Sequence, residues 1–221
     1  MHSKEIEEKK QLLKLTTSQK EILIGTLLGD GHLESQDKGQ TYRLKLDHSI
    51  KQIEYVDWLY DAFKEWTNTP PKKRSREVKF RDVVKTYEKY GFNTLSHSAF
   101  RFYAKQFYAN GRKHVPRLIH RWLTPKALAV WFMDDGSIKS NTHKTVFMNT
   151  QSFSEQDLKR LRKALQDVYG IQTILRPQDT GNQLYFLSET VEKFLELIEP
   201  YVVPSMRYKL PRVWLTQLPK R

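Results

Sequence analysis

Two helical runs of apolar residues end the same way. Leu23-Ile24-Gly25-Thr26-Leu27-Leu28-Gly29-Asp30-Gly31 is echoed by Leu128-Ala129-Val130-Trp131-Phe132-Met133-Asp134-Asp135-Gly136, with the last aspartates 105 residues apart in a chain of 221. Start signals precede both runs. Ser18 with Glu21 forms a capping box before the first. Thr124 and Pro125 give an N-cap and a first-turn proline before the second. Gly31 and Gly136 stand where a helix end favours a left-handed residue. After each signature comes a short alternating run, 41–46 in one half and 144–148 in the other. A helical period follows at 50–66, with Ile53, Val56, Leu59, Tyr60 and Phe63 on one face, and at 154–169, with Leu158, Leu161, Leu165 and Val168. Strand-rich segments come next, then Leu95-Ser96 matched by Leu187-Ser188, then helices near 99–108 and 191–198. Each half closes on a cluster, Lys113, Pro116 and Arg117 or Lys209, Pro211 and Arg212.

The order in each half is helix, two strands, helix, two strands, helix. That is an α+β arrangement with an antiparallel sheet. The expected organisation is an N-terminal extension over 1–16, a first half over 17–122 and a second over 123–221.

Composition narrows what such a repeat does. The net charge is +13, and an excess of this size points to a polyanionic partner. There is no cysteine, which removes thiol catalysis, disulfides and thiolate-bound zinc. The seven histidines show no paired metal spacing. No apolar run reaches the ~18 residues of a membrane span, so no membrane partner is expected. Residues 1–10 are charged and rich in Glu, unlike a secretory or transit segment.

The signatures carry the candidate chemistry. Each glycine inside a helix costs about 1 kcal/mol relative to alanine. Gly25 and Gly29 lie four apart, where they permit close approach of another backbone, and the repeat nominates the second signature helix. Asp30 and Asp135 sit at the negative ends of their helices, an unfavourable place for an anion. Hard divalent cations that keep waters for phosphate oxygens would reverse that penalty. Asp47 and Asn149 stand at equivalent positions after the strands.

The strand regions supply cations. Tyr42-Arg43-Leu44-Lys45-Leu46 puts Arg43 and Lys45 opposite the apolar face. The densest basic stretch is Lys72, Lys73, Arg74, Arg76, Lys79, Arg81 and Lys85, and Arg176, Gln178, Gln183 and Tyr185 are its second-half counterparts.

The two signatures, with Leu123-Thr124-Pro125, Asn149-Thr150-Gln151-Ser152-Phe153 and Tyr208-Lys209-Leu210-Pro211, resemble the monomeric, double-motif LAGLIDADG homing endonucleases, most of all the intron-encoded yeast mitochondrial type. The likeness runs from about Thr17 to Pro211. It implies a saddle of two αββαββα halves, with the signature helices at the interface through Gly25, Gly29 and Val130, and with antiparallel sheets on the major groove of double-stranded DNA. It also implies Asp30 and Asp135 as metal ligands, with backbone help from Gly29 and Asp134, and Lys113 and Lys209 as active-site cations that polarise water or stabilise the phosphate electrostatically. The implied ion is Mg²⁺, with Mn²⁺ as a substitute. The implied product is a double-strand break at a long asymmetric site with short 3′ overhangs, made by a monomer with an internal pseudo-dimer. The compartment would be an organelle if the gene is organellar, otherwise a bacterial cytoplasm. Val130 and Asp134 depart from the small residues of the first copy, so the helix contact is asymmetric and Trp131 or Met133 must pack nearby. Two alternatives stay open: an intron maturase whose ligand is RNA, and a basic DNA-binding regulator without chemistry.

Overall fold

The computed structural model describes residues 4–80 and 83–217, which fall into two compact units, one of residues 4–20, 30–80 and 83–104 and one of residues 21–29 and 105–217. In chain order the first unit contains α1 (Lys4–Leu12), the opening turn of α2 (Thr17–Leu28), β1 (His32–Glu34), β2 (Arg43–Ser49), α3 (Ile53–Phe63), β3 (Lys72–Phe80), β4 (Val83–Asn93) and the start of α4 (Arg101–Phe107). Its strands form an antiparallel sheet in the order β1-β2-β4-β3.

The alternation of β2 decides the faces. Leu44, Leu46 and His48 are buried, while Arg43, Lys45 and Asp47 lie on the other side. On the core side α3 contributes Tyr55, Val56, Leu59 and Phe63, all fully buried. Ile53 and Tyr60, expected in that stripe, are half-buried. Tyr60 instead meets Phe92 edge-on, with centroids 5.5 Å apart.

The capping box of α2 is not Ser18 with Glu21. Thr16 N–H donates to Gln19 Oε1 (3.0 Å) and Gln19 N–H donates to Thr16 Oγ1 (3.1 Å). Both pairs fit the Ser/Thr-x-x-Glu/Gln pattern. The helix starts at Thr17, so only the earlier pair can reach the orphan donors.

Asp37 organises the loop from β1 to β2. Its carboxylate accepts from Thr41 Oγ1 (2.6 Å), Thr41 N–H (2.9 Å), Gln40 N–H (3.0 Å) and Ser35 Oγ (2.8 Å). These bonds, that of the Thr41 hydroxyl first, hold its pKa down at about 2 against an ordinary 3.8. The folded-state value is depressed, so the contribution to loop stability is present above pH 3.8 and is lost as pH falls through about 2. Carboxyl NMR shifts of Asp37 should titrate near pH 2 in the wild type and at a higher pH in Thr41→Val, which loses the hydroxyl bond and keeps the backbone ones.

The second unit contains the rest of α2, then β5 (Tyr108–Ala109), β6 (Arg112–Lys113), α5 (Ile119–Trp122), α6 (Pro125–Asp135), β7 (Gly136–Ile138), β8 (Val146–Met148), α7 (Glu155–Tyr169), β9 (Thr173–Gln178), β10 (Gly181–Phe186), α8 (Ser188–Ile198) and α9 (Arg212–Leu215). Its sheet repeats the first in the order β7-β8-β10-β9. The series αββαββα therefore occurs twice, as α2 to α4 and as α6 to α8. Residues 21–29 belong with the second unit because their apolar side chains, Ile22 to Leu28, are buried there alongside α6.

The core of this unit is Leu158, Leu161, Ala164 and Leu165 of α7 with Val191, Phe194, Leu195 and Ile198 of α8, and Phe186 stacks on Phe194 at 4.1 Å. Val168, expected on the buried stripe, is 44% exposed. Gly170 (φ 64°) ends the helix in the left-handed region and the chain doubles back, Ile171 N–H donating to Leu165 O. Ile171 is fully buried and covers the end of the stripe in place of Val168. Thr124 caps α6 as expected, its hydroxyl accepting from Ala127 N–H at 3.2 Å.

Gly136, expected in the left-handed region, is extended (φ −69°, ψ 147°). Its need for glycine is steric, because a Cβ there would stand 2.2 Å from the Phe132 ring and 2.4 Å from the Phe132 carbonyl.

Candidate active site

Within the second unit, residues 21–29 and α6 pack backbone to backbone. A Cβ on Gly25 would stand 2.6 Å from the Ala127 carbonyl and 2.6 Å from Val130 Cβ. A Cβ on Gly29 would meet Asp134 Cβ at 2.5 Å and Oδ2 at 2.6 Å. The asymmetry of the signatures thus has a steric logic. The small residues of the first copy make room for Val130 and the Asp134 carboxylate of the second. Thr26 is buried and returns its hydroxyl to Leu23 O at 3.0 Å, so it brings no unsatisfied donor into the contact. Trp131, Phe132 and Met133 are fully buried, and Val203 N–H lies 3.4 Å from Met133 Sδ.

This packing predicts an inversion. Gly→Ala in a helix normally gains about 1 kcal/mol. Gly25→Ala should instead lose about 1–3 kcal/mol, because the added methyl forces the helices apart. Chemical denaturation of the two proteins gives the sign directly.

The packing fixes where each signature ends. Asp30 lies two residues beyond the end of α2, with its side chain 52% exposed. Its Oδ2 lies 3.4 Å from Nδ1 of His48, which is buried at the core end of β2 with its ring edge-on to Tyr55. Asp135 is the last residue of α6 and is half-buried. Its carbonyl accepts from both the backbone N–H (3.0 Å) and the side-chain amide (2.9 Å) of Asn149. Asn149 also donates to Ser137 Oγ and accepts from Gln183 Nε2 at 3.0 Å. Its role is therefore to brace the turn that carries Asp135. Asp47, its expected equivalent, is not beyond the strand but within β2, paired with Gly91 and ion-paired to Arg74 (2.9 Å).

The two lysines make the same contact at the two signatures. Lys113 Nζ donates to Gly29 O at 2.7 Å, and Lys209 Nζ donates to Asp134 O at 2.8 Å. In each case the acceptor is the carbonyl one residue before the terminal aspartate. Both lysines are half-buried. Lys113 arrives on the hairpin β5–β6, whose turn is Asn110-Gly111 with φ of 50° and 73°. Such a positive-φ pair is the signature of a tight two-residue hairpin. Lys209 ends the 3-10 turn Pro204–Lys209.

The expected cations are present on the strands. On β3, Lys72 and Arg74 are exposed on the side of Asp47, whereas Lys73 and Lys79 are exposed on the alternate side, so the expected cationic stretch does not form one face. Register places Arg76 opposite Tyr87 and Lys85 opposite Val78, while Arg81 lies outside the described residues. Acidic neighbours orient the cations of β2 and β3. Arg43 pairs with Glu34, and Arg74 and Lys45 (3.9 Å) share Asp47. In the second sheet Arg176 and Gln178 are exposed and Tyr185 is half-buried. Gln183 is buried and spent on Asn149, unlike the open side chains of β9.

A family model described as the LAGLIDADG DNA endonuclease family matches residues 20–194. The chain is 32% identical over 213 residues to DNA endonuclease I-ChuI of Chlamydomonas applanata, spanning 90% of this chain and 96% of that protein. It is 28% identical over 207 residues to probable intron-encoded endonuclease 1 of Wickerhamomyces canadensis, spanning 91% and 87%. It is 31% identical over 198 residues to cytochrome b mRNA maturase bI2 of Debaryomyces hansenii, spanning 86% and 72%. Among solved structures, the homing endonuclease I-WcaI bound to its DNA recognition sequence matches with a TM-score of 0.85 at 26% identity, over 95% of this chain and 93% of that one.

Proposed function

The chain belongs to the LAGLIDADG DNA endonuclease family, and from that premise we propose how its residues divide the work of a metal-dependent, site-specific DNA endonuclease. The observation that carries the assignment is the repeated contact of a lysine with the carbonyl preceding each terminal aspartate. It brings one cation to the end of each signature, at the peptide that precedes the terminal aspartate.

Asp30 and Asp135 are the ligands for divalent metal. The donor set fits a hard cation: carboxylate oxygens at the negative ends of two helices, with enough exposure to leave coordination sites for water. Mg²⁺ is the working ion, with Mn²⁺ as a substitute. Gly29 and Asp134 contribute through backbone carbonyls, each with one lone pair left after accepting from its lysine. When bound, the ion supplies charge neutralisation at the phosphate and a more acidic water. Lys113 and Lys209 hold fixed positive charge where negative charge develops on the phosphoryl oxygens.

Duplex DNA is the partner. The outer faces of β2, β3 and β9 present Arg43, Lys45, Lys72, Arg74 and Arg176 to it, while Lys73 alternates to the side of its partner Tyr90. Arginine can read guanine in the major groove, while lysine reads guanine or holds phosphate. The duplicated motif makes the chain sufficient as a monomer.

Intron RNA is the ligand of a second reading, favoured by the similarity to an mRNA maturase. The experiment that separates them is duplex cleavage in Mg²⁺, in Mn²⁺ and in EDTA. Cutting with either ion and binding without cutting in EDTA supports the endonuclease. Binding without cutting under every metal moves the reading to RNA or to a DNA-binding regulator.

A further inference from the structure

The contacts that carry each lysine continue behind it, and in both places they end on a buried carboxylate and an arginine. Asp157, with its side chain only 9% exposed, accepts from Val115 N–H (3.0 Å), Arg160 Nη1 (3.0 Å) and Ser154 Oγ (2.6 Å). Arg160 in turn donates to the Val115 carbonyl. Both backbone polar groups of Val115 are therefore held by one ion pair, two residues after Lys113. On the other side of Lys113, the turn Asn110-Gly111 and the bond from His114 N–H to Phe107 O (2.8 Å) fix the hairpin. Behind Lys209, Glu199, with its side chain 8% exposed, accepts from Arg207 Nη1 at 2.6 Å. Arg207 lies two residues before Lys209 in the same 3-10 turn.

The repeat does not explain these pairs. Asp157 and Arg160 lie on α7 of the second half yet hold the lysine of the first, while Glu199 follows α8 and holds the lysine of its own half. The same chemistry stands at unrelated sequence positions. A buried ion pair is weak evidence for stability, since its desolvation cost offsets much of the attraction and an apolar replacement often does as well. What such a pair supplies is one defined geometry. A lysine has a long flexible stem, so a shift of its backbone moves the ammonium directly. We propose that Asp157–Arg160 and Glu199–Arg207 are two separate positioning devices, each holding one active-site lysine in register with the end of its signature. The proposal rests on the role given above to Lys113 and Lys209.

The test uses the full chain and a supercoiled plasmid bearing a site recovered by wild-type cleavage of a random duplex library. Nicked and linear products are followed in time, and the nicked strand is identified. Lys113→Ala and Lys209→Ala are expected to slow opposite strands. Asp157→Asn should slow the strand that Lys113→Ala slows, and Glu199→Gln the other, each by about 10–100-fold, the scale of an ångström of misplacement. Nicked circle then accumulates in both, with opposite strands spared. Rates are normalised to the fraction of protein that binds the duplex. Should Asp157→Asn fail to fold, Arg160→Lys, which keeps the charge and loses the bond to Val115, carries the same measurement. Asp167→Asn removes an exposed partner of Lys163 on the same helix and should cut like the wild type. Loss of both strands in parallel, or wild-type rates, in Asp157→Asn and Glu199→Gln would overturn the proposal while the lysine variants kept their bias. Absence of bias in the lysine variants themselves would instead overturn the role given to the lysines, and the positioning proposal with it.

Discussion

Asp135→Asn is expected to yield no linear product, a loss of at least about a thousandfold, while duplex affinity stays within a few-fold of wild type. The size follows from losing the hold on the divalent ion, the preorganised positive charge at the reacting phosphate, and removal of one such electrostatic group alone costs on the order of 10²–10³ in rate. Loss of the metal-held water adds to it. The variant is suited to the question because asparagine keeps the shape of the side chain at the end of α6. Asn149 holds that turn through the Asp135 backbone carbonyl, so the brace survives the change. Affinity should not fall, because the substitution removes a negative charge facing a polyanion. Asp30→Asn should behave alike, its carboxylate being the equivalent group at the end of the first signature. Gel-shift and plasmid-cleavage assays on the same preparation read both quantities. Unchanged cutting by Asp135→Asn would remove that residue from the chemistry.

Affinity for duplex DNA should fall by about 10³–10⁵ between 50 and 200 mM salt, if some 6–10 phosphates are neutralised. The net charge of +13 supplies the cations. The structure puts a usable share of them on strand faces, with Lys72 and Arg74 exposed on the outer face of β3 alone. The ion pairs of that region do not oppose binding strongly. Arg74 with Asp47 is partly exposed, and pairs of this kind contribute about 0–1 kcal/mol, so a phosphate can replace the carboxylate at small cost. Each charge removed, as in Lys72→Ala, should lower the slope of log affinity against log salt by about one. A salt series of titrations measures this, and a flat dependence would mean that the strand faces do not carry the DNA.

The repeated αββαββα order was legible because dense apolar periodicity and a duplicated signature reinforce each other. The candidate residues at the ends of the signatures were legible for the same reason. Lys113 and Lys209 could be nominated from matched clusters, but not the carbonyls they reach, since those contacts span 84 and 75 residues. The hairpin carrying Lys113 had a signal in Asn110-Gly111, yet strands of two residues show no alternation to flank it. His48 was hidden because Asp47 interrupts the apolar pattern of β2. The interruption is only the open face of a strand that continues to Ser49. Val168 followed the helical period but lost its place to Ile171, because a left-handed glycine folds the chain back onto the stripe. No pattern in the sequence marks Asp157 or Glu199, and only their burial reveals them. Overlapping capping patterns at Thr16 and Ser18 show a further limit, in that the same local pattern occurs twice and the helix start at Thr17 matches only the earlier pair.

The proposed function requires paired chemistry at the ends of the two signatures. The most direct measurement is cleavage of a random duplex library by the wild-type chain, with Mg²⁺ and with EDTA, followed by sequencing of both strand ends. The expected result is one long asymmetric site, cut on both strands only with Mg²⁺ and leaving a short 3′ overhang. Cutting that persists in EDTA, or ends scattered without a common site, would contradict it.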